Sequence, residues 1–416
     1  MTPDTSIYLH IPFCAHRCAY CDFNTYAGQG DSIPAYVDAL IKEINFGAAA
    51  RPSAHATIGT IFFGGGTPSL LSAPQLASIM DALRAAFTFS SNLEATIEAN
   101  PGTTSPEFLH QIRAAGINRI SFGVQSANPE ELHMLERVHD FFDVIQSVKW
   151  ARQAGLDNLN LDVIYGLPEQ TLQTWQTSLQ RILDLHPEHI SAYALTLEHG
   201  TPFGRWSARG MLPLPDPDLA AEMYEWASET LEANGYKQYE ISNWAKEVKG
   251  QKSKVRPSTF DLQPWAPAFA CKHNLQYWRG LPYLAFGAGA HGYAGGYRYS
   301  NVLRIKTYID RLTANSQQPG TAFPLTPAAV NYHRLSKREE MQEAMLTGLR
   351  LVREGVSDAA FRRRFGIGIE DAFPKEVDEL LRLGLLAWNH VSTDSRLRLM
   401  WHARLVSNQV FVRFVE

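Results

Sequence analysis

Thr57-Ile58-Gly59-Thr60-Ile61-Phe62-Phe63-Gly64-Gly65-Gly66-Thr67, followed by the amphipathic stretch Ala73–Phe87, is the segment whose reading decides the fold. The apolar run Thr57–Phe63 is rich in β-branched and aromatic residues, three glycines close it, and a helical period follows, so the segment reads strand, loop, helix. The same unit recurs outward on both sides. Upstream, Ser6–Ile11 reads as a strand and Ile33–Ala49 as a helix; downstream come strand Leu93–Ala99 and helix Pro106–Ala115. Strand Asn118–Val124 leads into helical material through Ala154, strand Asn158–Ile164 into helix Leu172–Leu185, and His189–Leu195 is the sixth strand. Such alternation predicts parallel βαβ units. Six units are too few for a closed eight-stranded barrel, so an open partial barrel and a doubly wound sheet both fit. In either, ligands sit at the carboxyl ends of the strands, where Gly64–Thr67, Glu98–Gly102 and Gly123–Ser126 fall.

After Pro213 the pattern changes. A helix over Leu219–Asn234 leads to Tyr239–Trp244 and a loop from Lys246 to Pro267; between Lys246 and Arg256 it carries five Lys or Arg and one Glu, the composition of a solvated loop. From Asn331 on, two or three helices and a β-hairpin at Arg396–Phe414 give a winged-helix-like layout. The resulting division is 1–235, 236–330 and 331–416.

The 416 residues carry 38 Lys plus Arg against 42 Asp plus Glu, a net charge of −4, which argues against broad electrostatic capture of nucleic acid or anionic membrane. Met-Thr-Pro-Asp-Thr-Ser has neither a basic nor an apolar leader, so no secretory signal is expected. The uncharged run between Arg279 and Arg298 holds six glycines, a proline and a histidine, too interrupted for a spanning helix. Of four cysteines, three crowd into eight residues, which points to a reducing cytosolic compartment and a metal site.

Those three form Cys14-x-x-x-Cys18-x-x-Cys21, directly after the first strand. Structural zinc wants four ligands, and His10 or His16 is available as the fourth. Three thiolates also suit a cubic [4Fe-4S] cluster with one iron left open. Elsewhere each residue has a plain reading. Gly64–Gly66 make a tight turn, Glu98 and Asp162 are helix caps or ion pairs, and Tyr8 and Tyr20 are core aromatics. His273 bonds its own loop while Tyr277 and Trp278 pack, and Cys271 is a buried thiol.

The cysteine spacing after a first barrel strand resembles the radical S-adenosylmethionine superfamily. Tyr8–Cys14, Tyr20–Phe23, Phe63–Ser69, Glu98–Pro101, Ser121–Ser126 and Asn160–Pro168 resemble its HemN/HemW branch over nearly the whole chain. The resemblance implies an α/β fold, a partial (βα)6 radical SAM barrel with a C-terminal helical, winged-helix-like domain. It implies that Cys14, Cys18 and Cys21 hold [4Fe-4S], whose open iron chelates S-adenosylmethionine. Gly65, Gly66 and Thr67 would meet the methionine end of that cofactor. Tyr8, Tyr20, Glu98, Gln125, Arg137, Asp162 and Ala194 would complete the site, Arg137 suiting a carboxylate and Asp162 the ribose hydroxyls.

Within the branch, two activities compete: oxygen-independent coproporphyrinogen III oxidase, a radical decarboxylase of heme biosynthesis, and a heme chaperone. Phe23 stands where the oxidase pattern carries a further cysteine, the cluster begins at residue 14 where the oxidase has an N-terminal extension, and His273-Asn274-Leu275-Gln276-Tyr277-Trp278 matches the HNxxYW motif of the chaperones. The expectation is therefore a cytoplasmic heme chaperone without oxidase activity. It would deliver heme to acceptor proteins, respiratory ones among them, with no nucleic-acid partner and no integral membrane segment. Homodimerisation and transient contact with membrane respiratory proteins are compatible with it. His273, Asn274, Tyr277 and Trp278 form the expected heme contacts, with Cys271 and His291 as alternative iron ligands.

Overall fold

The computed structural model describes residues 5–50, 57–247, 265–314, 322–391 and 394–415. Most of the basic loop, residues 248–264, lies outside them. The chain forms two compact units, each from two stretches: Met1–Tyr224 with Pro282–Arg334, and Glu225–Leu281 with Leu335–Glu416. Boundaries at 235 and 330 between consecutive segments do not coincide with these units.

In the first unit, strands β1 (Thr5–Ile11), β2 (Ile58–Gly65), β3 (Phe89–Ala99), β4 (Arg119–Gln125), β5 (Leu159–Tyr165) and β6 (His189–Ala194) alternate with helices α1 (Ile33–Ala49), α2 (Ala73–Ala86), α3 (Pro106–Ala114), α4 (Phe141–Gln153) and α5 (Leu172–Asp184). A short helix, Pro129–Met134, precedes α4. The strands run parallel in chain order, as the repeated unit predicts. Ser72, Asp140 and Thr171 each cap a following helix with a reciprocal capping box, which fixes where α2, α4 and α5 begin.

Residues 283–334, most of them from the 236–330 segment, complete this sheet. Strands β7 (Tyr283–Phe286), β8 (His291–Ala294), β9 (Tyr297–Asn301) and β10 (Ala329–Arg334), with helix α6 (Ile305–Thr313), extend it beyond β1. β7 pairs parallel with β1, placing Ala285 opposite Tyr8, and the next three pairings are antiparallel. β1 is therefore an interior strand. A single carboxylate fastens α1 to this extension. Glu43, fully buried, accepts hydrogen bonds from the Gly287 amide (2.7 Å), Asn301 Nδ2 (2.7 Å), the Tyr308 hydroxyl (2.6 Å) and Thr326 Oγ1 (2.7 Å).

In the second unit, Tyr236–Glu240 and Asn243–Lys246 form an antiparallel pair, and Lys272–Trp278 is a helix. Helices Lys337–Gly348, Asp358–Phe365 and Pro374–Arg382 pack with a three-stranded sheet around a core that includes Met345, Phe361, Phe373 and Leu397. The expected hairpin at Arg396–Phe414 is corrected. Leu386–Val391 pairs with Asp394–Leu399, whereas Ser407–Val412 is helical. Ser407, Val410 and Phe411 are its buried residues, a spacing of three and four that belongs to a helix face.

Candidate functional site

Covered on both faces, strands β1 to β5 are buried along most of their length. Partly exposed positions interrupt that burial: Gly65, Glu98, Gly123 and Gln125 toward the carboxyl ends of β2, β3 and β4, and Tyr8 and Asp162 midway along β1 and β5. β6 ends on the exposed pair Tyr193 and Ala194. Solvent thus reaches the sheet at the positions the sequence singles out.

The cysteine loop is pinned beside these ends by backbone contacts that only glycine permits. Phe13–Cys14 pairs with Tyr26–Ala27, closing a loop that holds Cys14, Cys18 and Cys21 half-buried and as free thiols. Gly66 donates to the Ile11 carbonyl (2.9 Å) and Thr67 to that of Phe13 (2.7 Å). A Cβ on Gly66 would lie 2.6 Å from the Phe13 carbonyl oxygen, and one on Gly65 (φ +113°) 2.5 Å from the His10 ring. Both contacts are closer than any side chain tolerates, so these glycines hold the loop against β2. His10 joins in: its Nε2 donates to the Asn24 carbonyl (3.0 Å) and its Nδ1 accepts from the Tyr8 hydroxyl (3.0 Å). Asn24 Nδ2 in turn donates to the Ala288 (3.2 Å) and Leu303 (3.1 Å) carbonyls.

Arg137 ties this loop to the ends of β3 and β4. Its Nη1 donates to Cys18 Sγ (3.4 Å), and its Nη2 to Asn100 Oδ1 (2.5 Å) and the Gly123 carbonyl (2.6 Å). A Cβ on Gly123 would press on Gln125, Asn100 and Arg137 together. Gln125 sits at φ +70°, a conformation non-glycine residues adopt rarely and at a cost. Burial opposes the charge on Arg137, but Tyr20 and Cys18 overcome it and raise its pKa. Its Nε is buried without a partner among the described residues. Thr67 Oγ1 donates to Cys14 Sγ (3.7 Å) and accepts from Asn100 Nδ2 (3.1 Å). Burial pushes the Cys14 and Cys21 thiols up, opposed at Cys14 by the Thr67 hydroxyl and at Cys21 by the Phe23 backbone. Tyr20 packs its ring 6.5 Å from that of Phe203.

Two carboxylates face each other across the strands. Glu98 accepts from the Gly65 amide (3.0 Å), and burial, helped by the charge of Asp162, pushes its pKa to about 7. Asp162 is raised by burial too, against hydrogen bonds that include those from Ser121 (2.8 Å) and Asn160 (2.7 Å). A carboxyl whose folded pKa lies above its unfolded value binds more protons folded than unfolded. Its contribution is therefore full below the unfolded pKa and falls as pH rises through the folded one. The stability of the cofactor-free protein is expected to drop between about pH 4.5 and 7 through Glu98, and Glu98→Gln should flatten that part of the profile. Urea midpoints measured across this range check it; an identical slope in both proteins would remove Glu98 as the cause.

The HNxxYW segment lies on the helix Lys272–Trp278, so His273 and Tyr277 are one turn apart on one face. His273 is 1% exposed, its Nε2 is 2.8 Å from the Tyr277 hydroxyl, and the rings meet edge to face. The motif's histidine is thus held within its own helix, in contact with its own tyrosine. Asn274 is half-exposed, Cys271 is the buried N-cap residue, and Arg350 stacks 4.4 Å over the Trp278 ring. In the first unit, the exposed His291 opens β8, within electrostatic reach of His10.

Comparison with known proteins agrees with this architecture. Residues 8–182 match the radical SAM superfamily and residues 335–406 the HemN C-terminal domain. The Heme chaperone HemW of Bacillus subtilis is 38% identical over 413 residues, 99% of both chains, and that of Lactococcus lactis 34% over 410 residues, 99% of this chain and 97% of its own. The chain belongs to the HemW family of radical SAM proteins. Coproporphyrinogen III oxidase (HemN) from Escherichia coli has the same fold, with a TM-score of 0.78 at 22% identity over 99% of this chain and 90% of that one.

Membership of the HemW family implies a [4Fe-4S] cluster and S-adenosylmethionine, and the residues present fit both. Three free thiols share one half-buried loop, with hydrogen-bond donors at two of the sulfurs. Zinc fits less well. Both ring nitrogens of His10 are engaged, His16 Nε2 lies 3.2 Å from Glu136, and among the described residues no group of three or more His, Cys, Asp or Glu is arranged for a single ion. Asn24, Asn100 and Gly123, which position the HemW-family motif residues, were not singled out for these roles in the sequence reading. Their roles depend on contacts 14 to 279 residues apart, which leave no local pattern. No helix among the described residues is long and apolar enough to cross a membrane.

Proposed function

We propose that this protein is a heme chaperone, binding heme and handing it to acceptor proteins in the cytoplasm. The observation that carries the reading is end-to-end similarity to proteins named heme chaperones. Phe23 supports it: where the oxidase pattern carries a further cysteine, this side chain is 64% exposed and supplies no ligand.

In this reading Cys14, Cys18 and Cys21 hold [4Fe-4S]. When bound, that cluster supplies one-electron chemistry and an open iron for S-adenosylmethionine. The chain's own residues shape the cofactor's place. Gly65, Gly66 and Thr67 border its methionine end, and the unpartnered Nε of Arg137 is a donor for its carboxylate. Asp162 and Glu98 serve its hydroxyls and amine, Tyr8, Tyr20 and Gln125 its flanks, and Ala194 leaves room at the end of β6. Heme lies at the HNxxYW helix, where Trp278 offers a broad face and Asn274 a polar contact.

Ligation of iron by His273 Nε2 requires the Tyr277 hydroxyl to release it. Anaerobic heme titration of the cluster-loaded chain tests this. Saturation near one heme per chain is expected, with the Soret band shifted and affinity reduced roughly tenfold or more in His273→Ala. Tyr277→Phe, which removes that hydroxyl from His273 Nε2, should bind at least as tightly as the parent. Absence of saturable binding would sink the chaperone reading and turn attention to coproporphyrinogen turnover.

A further inference from the structure

The second unit contains a cavity of about 470 Å³ that none of the motifs accounts for. Its wall combines Trp265 and Trp401 with three guanidinium groups, Arg353, Arg398 and Arg404, against one carboxylate, Glu232. That carboxylate is already shared, 2.7 Å from Arg353 and 3.2 Å from Lys237. Arg398 has no carboxylate partner among the described residues. Burial, and then the like charges of Arg396 and Arg353, lower its pKa, the mark of a cation crowded by cations.

The arginines are also oriented. Arg353 lies 5.1 Å over the Trp265 ring and Arg404 4.3 Å over that of Trp401, while Arg404 Nη1 donates to Gln238 Oε1 (2.6 Å). A guanidinium with its flat face on an indole is held with its hydrogen-bonding edge turned sideways, the orientation that grips a carboxylate with two bonds. Ser228, 4% exposed, lines the same cavity with a hydroxyl that has no partner among the described residues. Excess positive charge, forked donors and an unused buried hydroxyl describe a site for a multiply charged carboxylate.

The body of that ligand is indicated by what adjoins the cavity. Trp265 packs into one aromatic cluster with Tyr239, Phe269, Leu275 and Trp278, the last two from the HNxxYW helix. The anion-binding wall and the heme motif are thus joined through one hydrophobic cluster within one unit. Heme has this division of character, a flat apolar macrocycle with two propionates on one edge. We propose that this cavity receives the propionate edge of heme, with Arg398 as its principal ligand and Arg353, Arg404 and Ser228 completing the contact. The inference rests on the heme-chaperone reading and adds a second anchoring point to it, remote in sequence from His273.

The test is titration of the full, cluster-loaded chain with hemin and with hemin dimethyl ester, whose propionates are masked, followed by Soret absorbance and tryptophan quenching. The parent should favour hemin over the ester roughly tenfold or more, the scale of a charge-assisted contact. Arg398→Gln should erase that preference while binding the ester as the parent does, which also shows that it is folded. Ser228→Ala should reduce the preference in part. Equal affinity of the parent for hemin and ester, or an undiminished preference in Arg398→Gln, would overturn the proposal and leave the chaperone reading standing. Failure of the parent to bind either compound would overturn both. His273→Ala provides the contrast: a changed Soret band with the hemin-over-ester preference retained is expected if the two contacts are separate.

Discussion

Cys14→Ala is expected to remove the iron–sulfur cluster, lowering iron and sulfide per chain roughly tenfold or more and erasing the brown charge-transfer absorbance. Three thiolates are the fewest that hold a cubane, so losing one leaves two protein ligands on four irons. No spare thiol stands ready in the loop: the neighbouring positions are occupied by Ala15, His16, Arg17, Asp22 and Phe23. The loop itself should survive. Its anchoring runs through the Gly66 and Thr67 amides, His10 and Asn24, none of which uses the Cys14 sulfur. Far-ultraviolet circular dichroism should therefore match the parent. Cys271→Ala is the control, because that thiol is the buried N-cap residue of another element, and it should retain full iron. Full iron in Cys14→Ala would move the cluster away from this loop.

Glu43→Ala carries the largest expected cost to folding. The carboxylate accepts four hydrogen bonds in a fully buried site, from one backbone amide, one side-chain amide and two hydroxyls. Truncation strands all four donors. At about 1–3 kcal/mol for each unsatisfied group, the loss is roughly 4 kcal/mol or more, against about 5–15 kcal/mol for a whole domain. Burial raises the Glu43 pKa, and the four donors work against that rise, so the acid is kept as an acceptor hub. Glu43→Gln keeps one acceptor oxygen and turns an amide toward donors, so it should fall between parent and alanine. Urea unfolding measures the difference; a Glu43→Ala protein within about 1 kcal/mol of the parent would mean that water or repacking satisfies those groups.

The parts of the molecule legible in sequence share one property, a local pattern. Strand–glycine–helix units repeat, capping boxes such as Ser72-x-x-Gln75 mark helix starts, and the cysteine spacing sits in one loop. Gly64–Thr67, Glu98–Gly102 and Gly123–Ser126 stand out because each closes a readable strand, whereas single residues such as Tyr8, Arg137 and Asp162 come from the family resemblance. What escaped was whatever depends on distant partners. Strands β7 to β10 are short and rich in tyrosine, and they are strands because β1 offers the first of them an edge. Glu43 looks in sequence like one more charge on an amphipathic helix, yet its donors come from residues 287 to 326. The terminal hairpin was misplaced because Leu397 and Leu399 alternate like a strand that continues, whereas the burial period changes after Met400. HNxxYW read as a loop motif until its histidine and tyrosine proved to be one helical turn apart.

The interior position of β1 has a consequence for the order in which the protein matures. The strand that leads into the cluster loop leaves the ribosome well before one of its two neighbours, Tyr283–Phe286. Asn24, at the far side of the loop, awaits Ala288 and Leu303. Before those residues emerge, the whole of the second unit's first stretch, Glu225–Leu281, must be synthesised. Until then β1 keeps an unpaired edge, and the Asn24 side-chain amide lacks the two carbonyls that fix it. Insertion of iron and sulfide into a properly held loop is thereby deferred until residues 283–303 have been made.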